Sequence, residues 1–416
     1  MYLQVKVTNE DSKLIRMLWQ EAGYPLAEYG MNTITFGTTC APFLATRTLQ
    51  QLAEDDGEKY PLAKQAVKDF YIDDCLTGAD TVEEAKEKRQ QLTSLMHGGG
   101  FPIRKWASNY PEVLADIPAS ERALEPVHQL DPESSLKTLG VRWQVREDLF
   151  TFDVAVDLEQ PHFVKREVLS TIAKIFDPLG LIGPVIVLAK TFMQELWKLD
   201  IDWDEPLPEK LNHRWRMYLR FLKEVWRIKV PRRCIGIDKP VRIYLHGYCD
   251  ASEMAYGAVL YLRAIDAEDN VSSRLLCSKT KVAPINRPTI PRLELCAAML
   301  LSQLIKTVKG TLRVSIHGTV AWSDSTTALA WIAGDPTRWK TFVSNRVAEI
   351  NNVIPSVNWR HIPGERNPAD LLSRGTAPSV LATSQLWWHG PSWTPSDAAD
   401  SAKVVITTSE QRIIEK

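Results

Sequence analysis

The sequence predicts an α/β protein of more than one domain, and three observations carry that prediction. Residues 241–262 read as two consecutive strands, because Val241, Ile243 and Leu245 alternate with Arg242, Tyr244 and His246 before the run ends on Asp250. Further on, strands and helices alternate, and acids fall at or near their ends (Asp250, Glu294, Asp324, Asp370). The length of 416 residues, with 44% hydrophobic and 24% charged residues, suits two or three ordinary globular cores.

Composition bounds the rest. The chain shows no signal peptide and no apolar run of membrane-spanning length, which predicts an intracellular, cytoplasmic protein. Its six cysteines form no CxxC pair and read as reduced core thiols. A net charge of −1 gives no general attraction to nucleic acid, so such a site would have to be local.

The opening, MYLQVKV, alternates as though the chain began inside a strand, which suggests truncation, and residues 32–36 read as another strand. Pro42 suits the first turn of a helix carrying Phe43, Leu44, Arg47, Leu49 and Leu52. KDFYIDDCLT reads as a tight hairpin with Asp73 and Asp74 at its tip, since Asp tolerates turn conformations. A polar helix over 81–96 ends at Gly98, residues 110–135 look like a surface connection, and LKTLGVRW with LFTFDVAVDL reads as a second hairpin. Residues 1–155 are therefore expected to be α+β.

Residues 156–236 are expected to form a helical connection. KREVLSTIAKIF is a helix stopped by Asp177-Pro178, a second helix spans 185–199 and a third 208–228. The third is basic: Arg214, Arg216, Arg220 and Arg227 interleave with Trp215, Tyr218, Phe221 and Trp226. Such a helix suits a nucleic-acid backbone, or it buries its aromatics and solvates its cations; the pattern allows both. Residues 237–376 are expected to be an α/β domain with a mixed sheet. After the two opening strands come a third over 274–282, a helix from Pro291 with Glu294 in its first turn, a strand ending at Asp324 and a helix over 337–351. A strand over 355–362 and a short helix carrying Asp370 complete it. Residues 377–416 read as a tail, flexible in its last part.

The four acids carry the chemistry. In a sheet flanked by helices, the ends bearing Asp250, Glu294, Asp324 and Asp370 can converge on one edge. Carboxylates gathered there repel one another unless cations join them. Hard oxygen ligands suit Mg²⁺ or Mn²⁺, and two such ions activate water and stabilise a leaving oxygen in phosphodiester hydrolysis.

YCDASEMAYGAV, RLELCAA, WSDST and HIPGERNPADLLSRG resemble, in order, the four motifs of a retroelement ribonuclease H. YIDD resembles the catalytic turn of reverse transcriptases, and FGTTCAPF the helix start beneath their template and incoming nucleotide. VKREVLSTIAKIFDPLGLIGP, IPRLELCAA and LWWHGPSW resemble the polyprotein of BEL/Pao-type LTR retrotransposons, over about residues 1–395. The resemblance implies a partial reverse-transcriptase palm (1–155), a thumb or connection (156–236), a ribonuclease H-like domain (237–376) and a tail leading to a missing integrase (377–416).

It implies metal and catalytic roles for Asp250, Glu294, Asp324 and Asp370 with Mg²⁺ or Mn²⁺, and for Asp73 and Asp74 at the polymerase turn. Tyr2 would discriminate ribose from deoxyribose, Lys105 would contact the triphosphate, and Arg216, Arg220 and Arg227 would contact nucleic acid. His361 lies near the place of a product-release histidine, and reads equally as a structural one. The implied partners are an RNA–DNA hybrid or template-primer, together with the missing N-terminal polymerase and C-terminal integrase regions.

Two departures follow from the same comparison. Reverse transcriptases carry a further metal-binding Asp just before the position of Tyr2, where this sequence starts, so polymerase activity of the chain alone is not expected. No Asp-Thr-Gly or Asp-Ser-Gly is present, so no protease site is expected. Three functional hypotheses result: a nuclease that cuts the RNA strand of a hybrid, an inactive remnant that at most binds nucleic acid, and one piece of a longer polymerase.

Overall fold

The computed structural model describes residues 1–123, the backbone of 136–138, residues 141–286 and residues 288–392. Residues 124–135 of the expected connection and the last part of the tail lie outside the described residues. Two compact units are present, Met1–Asp148 and Leu149–Lys416.

In the first unit a helical turn, α1 (Asn9–Ser12), precedes an antiparallel hairpin of β1 (Arg16–Trp19) and β2 (Ala27–Gly30). Then come α2 (Ala41–Asp55), α3 (Pro61–Ala66), β3 (Phe70–Tyr71), β4 (Asp74–Cys75) and α4 (Val82–Gly98). A hairpin of β5 (Leu136–Thr138) and β6 (Val141–Gln144) follows. The core is small: Leu49 and Ala53 of α2 meet Ala63 and Ala66 of α3, and Leu92, Leu95 and Met96 of α4. Thr81 starts α4 by accepting the backbone N–H of Glu84, and two acids occupy its first turn, where the helix dipole favours them.

Three expectations here are corrected. Tyr2–Gln4 is a single 3₁₀ turn rather than a strand, closed by Val5 N–H to the Tyr2 carbonyl. Residues 32–36 form no strand; the pairing there is a lone bridge between Lys6 and Thr33. In the YIDD hairpin Tyr71 pairs with Asp74, so the two-residue tip is Ile72-Asp73, with Ile72 in the left-handed region at φ 58°.

The second unit is a three-layer α/β/α arrangement. After β7 (Leu149–Thr151) come α5 (Lys165–Lys174), α6 (Gly183–Trp197), α7 (Glu209–Leu222) and β8 (Lys229–Pro231), which pairs with β7. The main sheet contains β9 (Arg242–Ala251), β10 (Ala255–Ile265) and β11 (Val271–Val282). α8 (Ile290–Thr311), β12 (Gly318–Ser323), α9 (Thr326–Ala333), α10 (Thr341–Val353) and β13 (Trp359–His361) follow. α11 (Asp370–Arg374), α12 (Pro378–Thr383) and α13 (Gln385–His389) end the described chain. The strand order is β11-β10-β9-β12-β13, antiparallel through β9 and parallel from β9 to β13, so the sheet is mixed.

Strand alternation sorts the two faces. Leu245 and Cys249 of β9, with Ala258 and Leu260 of β10, face α8 and α10. Tyr248, Val259, Tyr261 and Trp322 face the other way, onto a core that includes Val168, Val185 and Trp215 of α5–α7 together with Leu372, Leu381 and Trp387. The helices of 156–236 thus share one core with the sheet. Packing also continues past 376, because Trp387 is fully buried. Glu294 is the fifth residue of α8 and lies in its second turn, not its first. The strand expected over 355–362 is confined to Trp359–His361 after a 3₁₀ turn.

The FDPLGLIGP segment ties these layers together. The Asp177 carboxylate accepts the backbone N–H groups of Leu181 and Ile182 (2.8 Å each) just before α6. Gly180, at φ +70°, lies so close to β11 that a Cβ would meet the Ser278 carbonyl oxygen at 2.1 Å.

Candidate nuclease site

The parallel pairing of β9 and β12 sets Ser323 opposite Cys249, so Asp250 and Asp324 leave adjacent strands side by side. Asp250 is buried, and its carboxyl is pushed up to about 7, chiefly by burial and then by the charges of Asp324 and Asp370; a hydrogen bond from Ser373 opposes the shift. Asp324 is half-buried and also raised, chiefly by burial and further by the charge of Asp370. Glu294 reaches the same region from α8, raised by burial and by the charge of Asp324.

Each acid meets a donor. The Ser373 hydroxyl donates to Asp250 Oδ2, and the Ser325 hydroxyl to Glu294 Oε2. Asn367 Nδ2 reaches Asp324 Oδ1 at 3.4 Å while donating to the Cys249 carbonyl at 3.0 Å. Arg374 Nε donates to Asp370 Oδ1 at 2.5 Å. Sequence reading singled out the acids and not these partners. The signal for two of them was Ser373 and Arg374 three and four residues after Asp370, one helical turn on.

The donor set fits a divalent cation. It is made of carboxylate oxygens, and burial together with their mutual charge raises Asp250, Glu294 and Asp324, so a cation's charge is wanted there. As the side chains stand, no three acidic, histidine or cysteine groups among the described residues form a ready ligand set for one ion. His361 ends β13, exposed, opposite Ser323.

The basic helix divides. Trp215 and Tyr218 belong to the core, where Phe192, Trp215 and Tyr218 stack at 5.1 Å intervals. Arg214 pairs with Glu195 at 2.9 Å. Phe221 and Trp226 remain exposed (42% and 59%), with Arg220 and Arg227 exposed nearby and Arg216 half-buried. Arg227 lies over the Trp226 ring at 5.7 Å.

In the first unit Asp73 and Asp74 are both exposed, Tyr2 packs edge-on against Phe36 at 5.0 Å, and Lys105 is exposed with φ 59°. None of the six cysteines is paired, and no helix among the described residues is long and apolar enough to cross a membrane.

Residues 164–325 match the family model described as the Pao retrotransposon-like RNaseH-like domain. Over this span the chain is similar to Pao-type retrotransposon polyproteins. The Pao-type span takes in α5–α7 as well as β9–β12, in keeping with their common core, and it includes Asp250, Glu294 and Asp324. No curated protein matches the chain in sequence.

Among solved structures, the chain is similar to the N-terminal ribonuclease H domain of Mycobacterium tuberculosis Rv2228c, solved as a fusion with maltose-binding protein (16% identity, 32% of this chain and 94% of that one, TM-score 0.22). It is also similar to ribonuclease H1 of Halobacterium salinarum NRC-1 (14% identity, 31% and 93%, TM-score 0.22) and to LC11 ribonuclease H1 in complex with an RNA/DNA hybrid (17% identity, 32% and 93%, TM-score 0.22).

Proposed function

We propose that the Pao-type domain is a ribonuclease H-type endonuclease that hydrolyses the RNA strand of an RNA–DNA hybrid. The observation that carries this reading is the Asp250–Asp324 pair, a buried and a half-buried carboxyl at the ends of adjacent parallel strands, both raised chiefly by burial. A stable fold gains nothing from such a pair. A phosphodiester nuclease needs one. Asp250, Glu294, Asp324 and Asp370 would hold Mg²⁺ or Mn²⁺, which supplies water activation and stabilisation of the leaving oxygen when bound.

The chain's own groups do the positioning. Ser373, Ser325 and Asn367 fix the carboxylates by hydrogen bonds, and Arg374 sets a cation beside Asp370, where charge is handled. A hybrid would be recognised by groove shape and 2′-hydroxyls, with Arg216, Arg220 and Arg227 on phosphates. In this reading residues 1–155 are a partial polymerase palm, with Asp73 and Asp74 at its turn and Tyr2 and Lys105 on the nucleotide side.

The test is cleavage of a labelled hybrid by the full chain in Mg²⁺ or Mn²⁺, with Asp324→Asn alongside. Cleavage lost in the variant supports the assignment. Equal cleavage by both, or none from folded protein, refutes it, and the second result favours a remnant that only binds nucleic acid.

A further inference from the structure

Among the donors that meet the four acids, Ser373 is set apart by its connections. It is 1% exposed. Its hydroxyl donates to Asp250 Oδ2, and its own carbonyl oxygen accepts the Ser252 hydroxyl at 2.7 Å. It stands on the same five-residue helix as Asp370. The same hydroxyl lies 3.1 Å from the Asp370 carbonyl oxygen, but it has one proton, and a carboxylate is the stronger acceptor. The backbone makes room for this contact: a Cβ on Gly257, the β10 partner of Asp250, would come within 2.5 Å of Leu372 Cβ, so α11 lies directly against the strand.

We propose that Ser373 is a positioning residue for Asp250, an inference that rests on the nuclease reading above. An aspartate held only by its backbone keeps the rotation of its carboxylate plane. A donor fixed on Oδ2 sets that plane, and with it the place of the other oxygen, which is the one left for a cation. Because Ser373 shares a helix turn with Asp370, the same contact also fixes the spacing between an acid of the sheet and an acid of α11. Neighbours of this kind change metal affinity without touching the metal.

The experiment measures Mn²⁺ binding to the full chain from the electron paramagnetic resonance signal of free Mn²⁺, with hybrid cleavage read in parallel. Ser373→Ala is expected to weaken Mn²⁺ binding by about tenfold. The Mn²⁺ concentration for half-maximal cleavage should rise by the same factor, with KM for the hybrid unchanged. Ser278→Ala removes another hydroxyl bond between packed elements, the one to the Gly180 carbonyl (2.5 Å), away from the acids. It should lower the thermal midpoint and leave Mn²⁺ binding unmoved.

Wild-type Mn²⁺ affinity in Ser373→Ala overturns the proposal, and so does an equal loss in Ser278→Ala, which would mark a general structural effect. If Ser373→Ala does not fold, Ser373→Cys keeps the branching of the side chain, is slightly larger, and weakens the donor. It must then bind Mn²⁺ more weakly, and unchanged affinity overturns the proposal. A wild-type chain that neither binds Mn²⁺ nor cleaves overturns the nuclease reading and this inference together. Wild-type activity with an unaffected Ser373→Ala overturns this inference alone.

Discussion

The Trp387 indole Nε1 donates to the carbonyl oxygen of Leu181 at 2.9 Å, joining residues 206 apart in the chain. The Trp387 carbonyl in turn accepts the Tyr261 hydroxyl at 2.7 Å. One residue near the end of the described chain, through its side chain and its backbone carbonyl, thus links the turn before α6 to β10 of the sheet.

Trp387→Ala is therefore expected to destabilise the second unit by about 3–5 kcal/mol, the usual cost of emptying a buried tryptophan site. Urea unfolding monitored by far-UV circular dichroism measures it. A chain stopped after residue 376 loses α12 and α13 and should unfold at still lower urea than the point variant.

This explains where the sequence was readable and where it was not. β9 and β10 were legible because each has two buried faces of different composition, and α8 because Leu293, Ala297, Leu300 and Leu301 form one stripe. The end of the folded unit was not, because LWWHGPSW packs through two tryptophans at short helices with no periodicity to detect. The hairpin β1–β2 was missed for the opposite reason: all of Arg16–Trp19 is exposed, so no buried face imposed alternation. The four acids were legible through their motifs. Their donors were not, because a lone Ser or Asn beside an acid is also what any cap or turn contains.

Two buried groups should give stability a pH dependence with opposing slopes. His246, packed on Trp322, is held down to about 3 by burial and by the nearby Arg263 charge. The unfolded chain takes up that proton near 6.5 and the folded chain does not, so stability falls as pH drops from about 6.5 towards 3. Asp177 is raised to about 6, chiefly by burial. Here the folded state holds the proton, so its contribution is complete below about 4 and is lost as pH rises through 6. Between pH 4 and 6 the two partly cancel. His246→Gln should expose the falling limb and Asp177→Asn the rising one, each with a slope of at most about 1.4 kcal/mol per pH unit. Urea midpoints across pH 3–8 decide it, and unchanged profiles in both variants would contradict the assignment.

Metal should act as a stabilising ligand. Mg²⁺ at about 100 times its Kd should add about 2.7 kcal/mol, and chelation should remove it. Asp250→Asn should abolish that increment. At pH 8 it should also make the metal-free protein more stable, on the order of 1 kcal/mol, because it removes a buried charge repelled by Asp324 and Asp370. Thermal midpoints with Mg²⁺ and with chelator give both quantities. A variant less stable than wild type without metal would show that the carboxylate serves the fold.

The basic helix supplies the last prediction. Trp215 and Tyr218 are committed to the core and Arg214 is paired with Glu195, while Arg220 and Arg227 are exposed beside Phe221 and Trp226, with Arg216 half-buried. Arg227 also has Glu224 at 3.7 Å, which offsets some of its attraction for phosphate. Neutralising Arg216 and Arg220 should therefore weaken hybrid binding and lower the slope of log K against log salt by about 1 for each phosphate that no longer meets a cation. Arg227→Gln should do less than Arg220→Gln, because a cation with a carboxylate neighbour has less charge to give. Fluorescence anisotropy of a labelled hybrid at several salt concentrations measures each slope. A slope unchanged in the double variant would mean that α7 holds the fold and that the hybrid is gripped elsewhere.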